Sequence, residues 1–189
     1  MKNIPVDKDR VAYAAFLRGI NVGGNTLIKM EDLRKAFETM GYHNVKTVLA
    51  SGNVIFEAPR ENTKTLSRKV AIGLQQAFGQ DIPVIVRSID DLREIEARQP
   101  FKEIETAPET RLFITFISED AKRKNSSIPS KHEGFRILEI SGGAVYSALE
   151  DGTGPGAVPL MSTIEKEFGR QVTTRSWKTI ARILKIAGI

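Results

Sequence analysis

The feature that most limits the fold of this chain is an uninterrupted apolar run, Val11-Ala12-Tyr13-Ala14-Ala15-Phe16-Leu17, that breaks abruptly into glycine. A continuous run of this length fits a central strand covered on both faces, because it lacks the alternation of a half-exposed one. Arg18-Gly19-Ile20-Asn21-Val22-Gly23-Gly24-Asn25 follows, and a helical pattern comes next. Glycines at 19, 23 and 24 in a strand-to-helix connection suit φ > 0 turns or a close backbone approach to something bound.

The rest of the first half extends this start. Leu33, Ala36, Phe37 and Met40 recur at helical spacing, and Gly41 stops that helix at its C′ position. Val45 to Ala50 and Val54 to Glu57 read as strands joined by Ser51-Gly52-Asn53, a hairpin signal. A second helix is expected over Thr63 to Phe78, with Leu66, Val70, Leu74, Ala77 and Phe78 on one side and Gly79 at its end. Pro83-Val84-Ile85-Val86 completes a β-α-β-β-α-β order, the ferredoxin-like plan.

That plan makes the first two strands parallel, with the third between them. The glycine loop after strand one, the Ser51-Gly52-Asn53 turn and the Gly79-Gln80-Asp81 connection therefore meet at one end of the sheet. Arg18, Asn21, Gly23, Gly24, Ser51 and Asn53 are the candidate ligand-binding residues there. The glycines would offer backbone N–H donors, Arg18 a bidentate charge, and the polar side chains orientation for an anion.

Ser88-Ile89-Asp90-Asp91 is a capping box for a short helix reaching Arg98. A domain boundary is expected in the polar stretch 99–110. This gives a loose leader over 1–10, a first unit with linker helix over 11–99, and a second, degenerate unit over 110–189. In that second unit Leu112 to Ile117 is a strand, and Phe135 to Ile140 with Ala144 to Leu149 form a hairpin around Ser141-Gly142-Gly143. Pro159 suits the first turn of a helix with Leu160, Ile164 and Phe168 inward and Gly169 at its end. Gln171-Val172-Thr173 is a brief last strand. The whole is an α+β chain of two tandem ferredoxin-like (alpha-beta plait) units, the second with a poorly signalled first helix.

The final helix, expected to be capped by Thr174, places Trp177, Ile180, Ile183, Leu184 and Ala187 on one side. Arg175, Lys178, Arg182 and Lys185 gather on the other. This basic stripe is the alternative, nucleic-acid-binding candidate, while Trp177 on the apolar side is expected to be core. Lys122-Arg123-Lys124 reads as a mobile charged loop. Asp151 with the Gly152-Thr153-Gly154-Pro155-Gly156 loop reads as flexible linkage.

Composition narrows the chemistry. The chain of 189 residues has no cysteine, which excludes disulfides and thiolate catalysis and is compatible with a reducing cytoplasm. His43 and His132 are too far apart in sequence for a local metal pair, so neither metal nor cofactor is expected. No apolar run approaches the ~20 residues that span a bilayer, and the first residues lack the apolar core of a secretory signal. A net charge of +5 permits nucleic-acid or other anionic partners. Gly19 to Thr26 nearly spells a phosphate-binding loop, but Asn25 stands where the lysine belongs, and the strand order is not that of a doubly wound sheet. No nucleophile–base pair emerges from spacing, so the catalytic residues are unknown.

Leu17-Arg18-Gly19-Ile20-Asn21-Val22-Gly23-Gly24, Ile28-Lys29-Met30, Ser51-Gly52-Asn53-Val54 and Thr173-Thr174-Arg175-Ser176-Trp177-Lys178-Thr179 together resemble the bacterial domain-of-unknown-function family 1697. The resemblance implies a cytoplasmic bacterial protein of two alpha-beta plait units and brings no established activity. The chain departs from the family pattern at Asn25, Val48-Leu49-Ala50, Ala157-Val158 and Arg175-Ser176-Trp177-Lys178. The expectation is a binding protein for a phosphate-bearing or other anionic ligand at the glycine-rich edge. The alternatives are nucleic-acid binding through the last helix and an enzyme acting on a phosphorylated small molecule.

Overall fold

The apolar run becomes strand β1 (Arg10–Leu17) in a computed structural model that describes residues 10–22, 27–104, 107, 109–123, 131–132, 134–150 and 157–188. Of the expected leader, only Arg10 lies within the described residues, where it opens β1. The chain divides into two units, 1–91 and 92–189.

In the first unit, helix α1 (Met30–Thr39) leads to β2 (His43–Val48) and β3 (Asn53–Pro59). Helix α2 (Thr63–Phe78) and β4 (Val84–Ser88) follow. The sheet order is β2-β3-β1-β4 with every neighbour antiparallel. β3 therefore separates β1 from β2, and those two run the same way, as the sequence requires. β1 has a neighbour on each side, which is why both of its faces are apolar.

Tyr13, Ala15 and Leu17 point to the face where Leu33 and Phe37 of α1 pack with Leu66, Val70 and Leu74 of α2. Phe56 meets Phe37 edge-on at 5.4 Å and Tyr42 at 4.6 Å. Each such side chain contributes about 1.5–3 kcal/mol by leaving water. The ends of α2 are set locally. Asn62 accepts hydrogen bonds from the N–H groups of Lys64 and Thr65, and Gly79 closes the helix at φ 67.

The second unit starts inside α3 (Ile89–Ala97). Its capping box forms reciprocally: Asp91 N–H donates to Ser88 Oγ at 3.0 Å and Ser88 N–H to Asp91 Oδ2 at 3.4 Å. The boundary between Asp91 and Leu92 falls ahead of the expected stretch 99–110. The physical reason is Phe101, which is buried with its ring against Tyr146 and Trp177. That single aromatic makes the polar, proline-bearing stretch part of the second core.

Strands β5 (Arg111–Ile117), β6 (Lys131–His132), β7 (Phe135–Ser141) and β8 (Ala144–Leu149) come next. Helix α4 (Ala157–Phe168), β9 (Val172–Ser176) and helix α5 (Trp177–Ile186) complete the unit. The order is β6-β7-β8-β5-β9, again antiparallel throughout. Among the described residues no helix lies between β5 and β7. Leu160, Ile164 and Phe168 face the core formed by Val145, Leu149 and Phe135, as their spacing predicts.

One equivalence between the units goes beyond strand order. Leu17 N–H donates to the Gly52 carbonyl at 2.8 Å, and Arg18 N–H to the Pro83 carbonyl at 2.9 Å. In the second unit Ile117 N–H donates to Gly143 at 2.8 Å and Ser118 N–H to Gln171 at 2.9 Å. Each first strand is thus tied at its end to the hairpin on one side and to the last strand's entry on the other. The hairpins themselves differ. Gly142 and Gly143, both at positive φ, make a two-residue turn, whereas four residues, 49–52, connect β2 to β3.

Gly73, in the middle of α2, marks where the two helices of the first unit meet. A Cβ there would stand 2.7 Å from Cε of Met40. Gly73→Ala is expected to lower stability by about 1–2 kcal/mol through overpacking, read by urea denaturation. In a Met40→Ala background the sign should reverse, because alanine's better helix propensity, worth about 0.8–1 kcal/mol, then acts unopposed.

Candidate functional site

The two backbone bonds at the end of β1 bring the β1–α1 loop, the β2–β3 turn and the entry to β4 to one rim of the first unit. Phe16 is in register with Asn53 and Leu17 with Val84. Arg18 and Asn53 therefore share a neighbourhood, which is the arrangement the strand directions call for.

Asn21 organises this rim. Its backbone is left-handed, φ 54, a conformation asparagine tolerates better than most residues. Its side-chain amide donates to the carbonyls of Ile28 (2.9 Å) and Ala50 (2.8 Å), and its Oδ1 accepts from Ile28 N–H at 2.9 Å. Both amide protons are committed to protein backbone. Asn21 thus clips the two ends of the glycine loop together and ties them to the hairpin, which holds the rim in place.

Asn53 departs further from the expectation. It is 0% exposed, and its amide donates to the Val48 carbonyl at 2.8 Å and Ser51 Oγ at 3.2 Å. A buried side chain of this kind closes the four-residue turn and has no surface to offer a ligand. Gly23 and Gly24 lie outside the described residues, as does Asn25. Arg18 is half-buried, and Gly19 and Ser51 are exposed.

The turn carries strain where it was least expected. Leu49 is left-handed at φ 61 and partly solvent-exposed. Gly52, at φ 80, has no such cost, and it has no space for a side chain either: a Cβ would stand 2.8 Å from Cδ1 of the buried Ile20. Leu49 is also one of three exposed apolar side chains at this rim, with Val22 and Leu27. Each is the chain neighbour of a residue that the Asn21 amide joins, and the rim is more apolar than glycine and asparagine suggested.

The basic stripe of the last helix is reduced by one member. The strand continues through Arg175, and Ser176 is the cap, its Oγ accepting from Thr179 N–H. Thr173 and Thr174 are β-branched and extend β9 instead of starting the helix. Arg175 is 9% exposed, bonded through Nη1 to Thr173 Oγ1 and the Thr174 carbonyl, both at 2.8 Å. Burial pushes its guanidinium down to about 10, still cationic at neutral pH. Lys178, Arg182 and Lys185 stay exposed on one side of α5, which carries no acidic residue.

Three further expectations meet the structure here. Arg123 is not simply part of a charged loop, since its Nε pairs at 2.9 Å with Glu167, a carboxylate only 3% exposed. Trp177 is half-buried and so reaches the surface, although it was expected to be core. Asp151 to Gly156 lie outside the described residues. Among the described residues, no group of three or more His, Asp or Glu side chains could hold a metal, and no helix is long and apolar enough to cross a membrane.

The geometry defines an α+β protein in which a loop, a hairpin turn and a strand entry meet at the end of a central strand. The family model described as a protein of unknown function (DUF1697) matches residues 11–146, and the chain belongs to that family. No curated protein matches it. Among solved structures it is similar to the conserved bacterial protein SP0830 from Streptococcus pneumoniae, with a TM-score of 0.65 and 18% identity. That match covers 94% of this chain and 98% of the other, and at this identity it speaks to the fold alone.

The rim makes two sharp expectations for stability. Asn21→Ala strands the Ile28 and Ala50 backbone groups and should cost about 1–3 kcal/mol, whereas Leu49→Asn should gain about 0.5–1 kcal/mol by suiting the left-handed turn. Chemical denaturation of the two variants beside the parent protein checks both signs.

Proposed function

We propose that this protein binds a phosphate-bearing anion at the first-unit rim, with Arg18 as the charged contact. Ser51 and the backbone N–H groups of the glycine loop add hydrogen bonds, and Asn21 and Asn53 hold the rim in shape. The observation that carries this reading is the convergence of three turns on Arg18 through the Leu17–Gly52 and Arg18–Pro83 bonds. Val22, Leu27 and Leu49 beside it favour a ligand with an apolar body over inorganic phosphate alone. An enzyme acting on such a ligand needs a group ready to exchange a proton near neutral pH. The rim side chains named above are an arginine, a serine and two asparagines, and we read them as binding groups. We further read the two units as a degenerate ferredoxin-like duplication, supported by the paired end-of-strand bonds, and a bacterial cytoplasmic location fits a chain without cysteine.

Titration calorimetry with phenyl phosphate and with inorganic phosphate tests the site. Phenyl phosphate should bind the tighter of the two, Arg18→Ala should weaken it by about tenfold, close to 1.4 kcal/mol, and Arg18→Lys should restore part of the loss. Absence of saturable binding by either compound would sink the proposal.

A second reading rests on α5. Lys178, Arg182 and Lys185 form an exposed cationic stripe with no acidic residue on the same helix, a surface suited to a nucleic-acid backbone. Retention on single-stranded DNA should fall steeply with salt, and replacing all three by alanine should lower the log–log slope by about 2. Retention that ignores salt would dismiss it.

A further inference from the structure

A separate cleft lies wholly within the second unit, of about 330 Å³, lined by Glu96, Gln99, Pro100, Phe101, Lys102 and Trp177. Its size is at the lower end for small-molecule sites. Phe101 is buried and stands at 66° to Trp177 with 5.1 Å between ring centroids. Phe101 also meets Tyr146 at 6.0 Å, and Arg98 Nη2 donates to the Tyr146 hydroxyl at 3.1 Å. Trp177 thus packs at a steep angle against a buried ring while part of its side chain remains at the surface.

Among the described residues, the Trp177 indole N–H, the Glu96 carboxylate, the Gln99 amide and the Lys102 ammonium make no hydrogen bond or ion pair. An aromatic face with an acceptor, an amide and a cation at its margin matches the chemistry of an unpaired nucleobase. The base would stack on the indole, the carboxylate and amide would meet its hydrogen-bonding edge, and the ammonium its phosphate. Lys178 directly follows Trp177 in the chain, and Arg182 and Lys185 continue the cationic side of α5.

We propose that this cleft is a stacking site for a nucleobase with its attached phosphate, Trp177 providing the ring face, Glu96 and Gln99 the edge contacts and Lys102 the charge. The site is independent of the first-unit rim. It deepens the reading of α5 as a nucleic-acid surface by supplying a base contact beside the backbone contacts.

Trp177 is the chain's one tryptophan, so intrinsic fluorescence reports on this cleft alone. Adenosine monophosphate and a short oligodeoxyadenylate should each quench it saturably, and ribose 5-phosphate, which lacks a base, should not. Lys102→Ala, a surface change, should weaken the mononucleotide by about tenfold, in line with loss of one phosphate contact, and Gln99→Ala should alter the preference among the four mononucleotides. An oligonucleotide that binds about tenfold or more tighter than the mononucleotide identifies a strand as the source. Equal affinities identify the free nucleotide. Quenching by neither compound overturns the proposal. So does salt-sensitive oligonucleotide binding that leaves the fluorescence unchanged, which would keep the stripe on α5 and remove the stacking site.

Discussion

Two backbone hydrogen bonds, from Leu17 to Gly52 and from Arg18 to Pro83, decide where everything else at the first rim stands. A central strand needs partners on both sides, and at its last residues those partners are a turn and a strand entry. Once both are bonded, the chain leaving β1 has no freedom to swing away, and Arg18 is delivered to the same place as the β2–β3 hairpin. The restriction at Gly52 follows directly, because Ile20 must pack underneath the turn that Leu17 is holding.

The same pair of bonds closes β5 in the second unit, where Ser118 occupies the place of Arg18. The backbone device is repeated and the charge is not. That contrast separates what the fold requires from what the first rim has in addition. A guanidinium is unnecessary for closing the sheet, since a serine N–H does the same work at the equivalent position.

Much of the architecture was legible because it depends on periodicity and punctuation. The bounds of α2 follow from Thr63, Phe78 and Gly79 alone, and the strand order follows from the element order. What the residues could not reveal was where polar side chains would spend their hydrogen bonds. Asn21 and Asn53 look alike whether they face a ligand or their own backbone, and both turned inward because each sits at a turn with carbonyls to satisfy. Asn53 directly after Gly52, and Asn21 in a loop between glycines, were signals for that role. The start of α5 was misjudged for a related reason. Thr174 and Ser176 are both good caps, and only the pairing of Arg175 with Ile114 and of Ser176 with Phe113 in β5 shows that the strand runs on to Ser176. Trp177, at the margin of the apolar arc, could belong to core or surface by angle alone, and the ring of Phe101 beneath it decided the outcome.

The meeting of α1 and α2 has a chemical side as well. The thioether of Met40 occupies a hollow that exists only because residue 73 has no side chain, so the join between two helices depends on one soft, polarizable atom. Adding a single oxygen to that sulfur would make it both larger and polar at the point where the two helices touch. Peroxide would then act on this protein as a wedge driven between its helices.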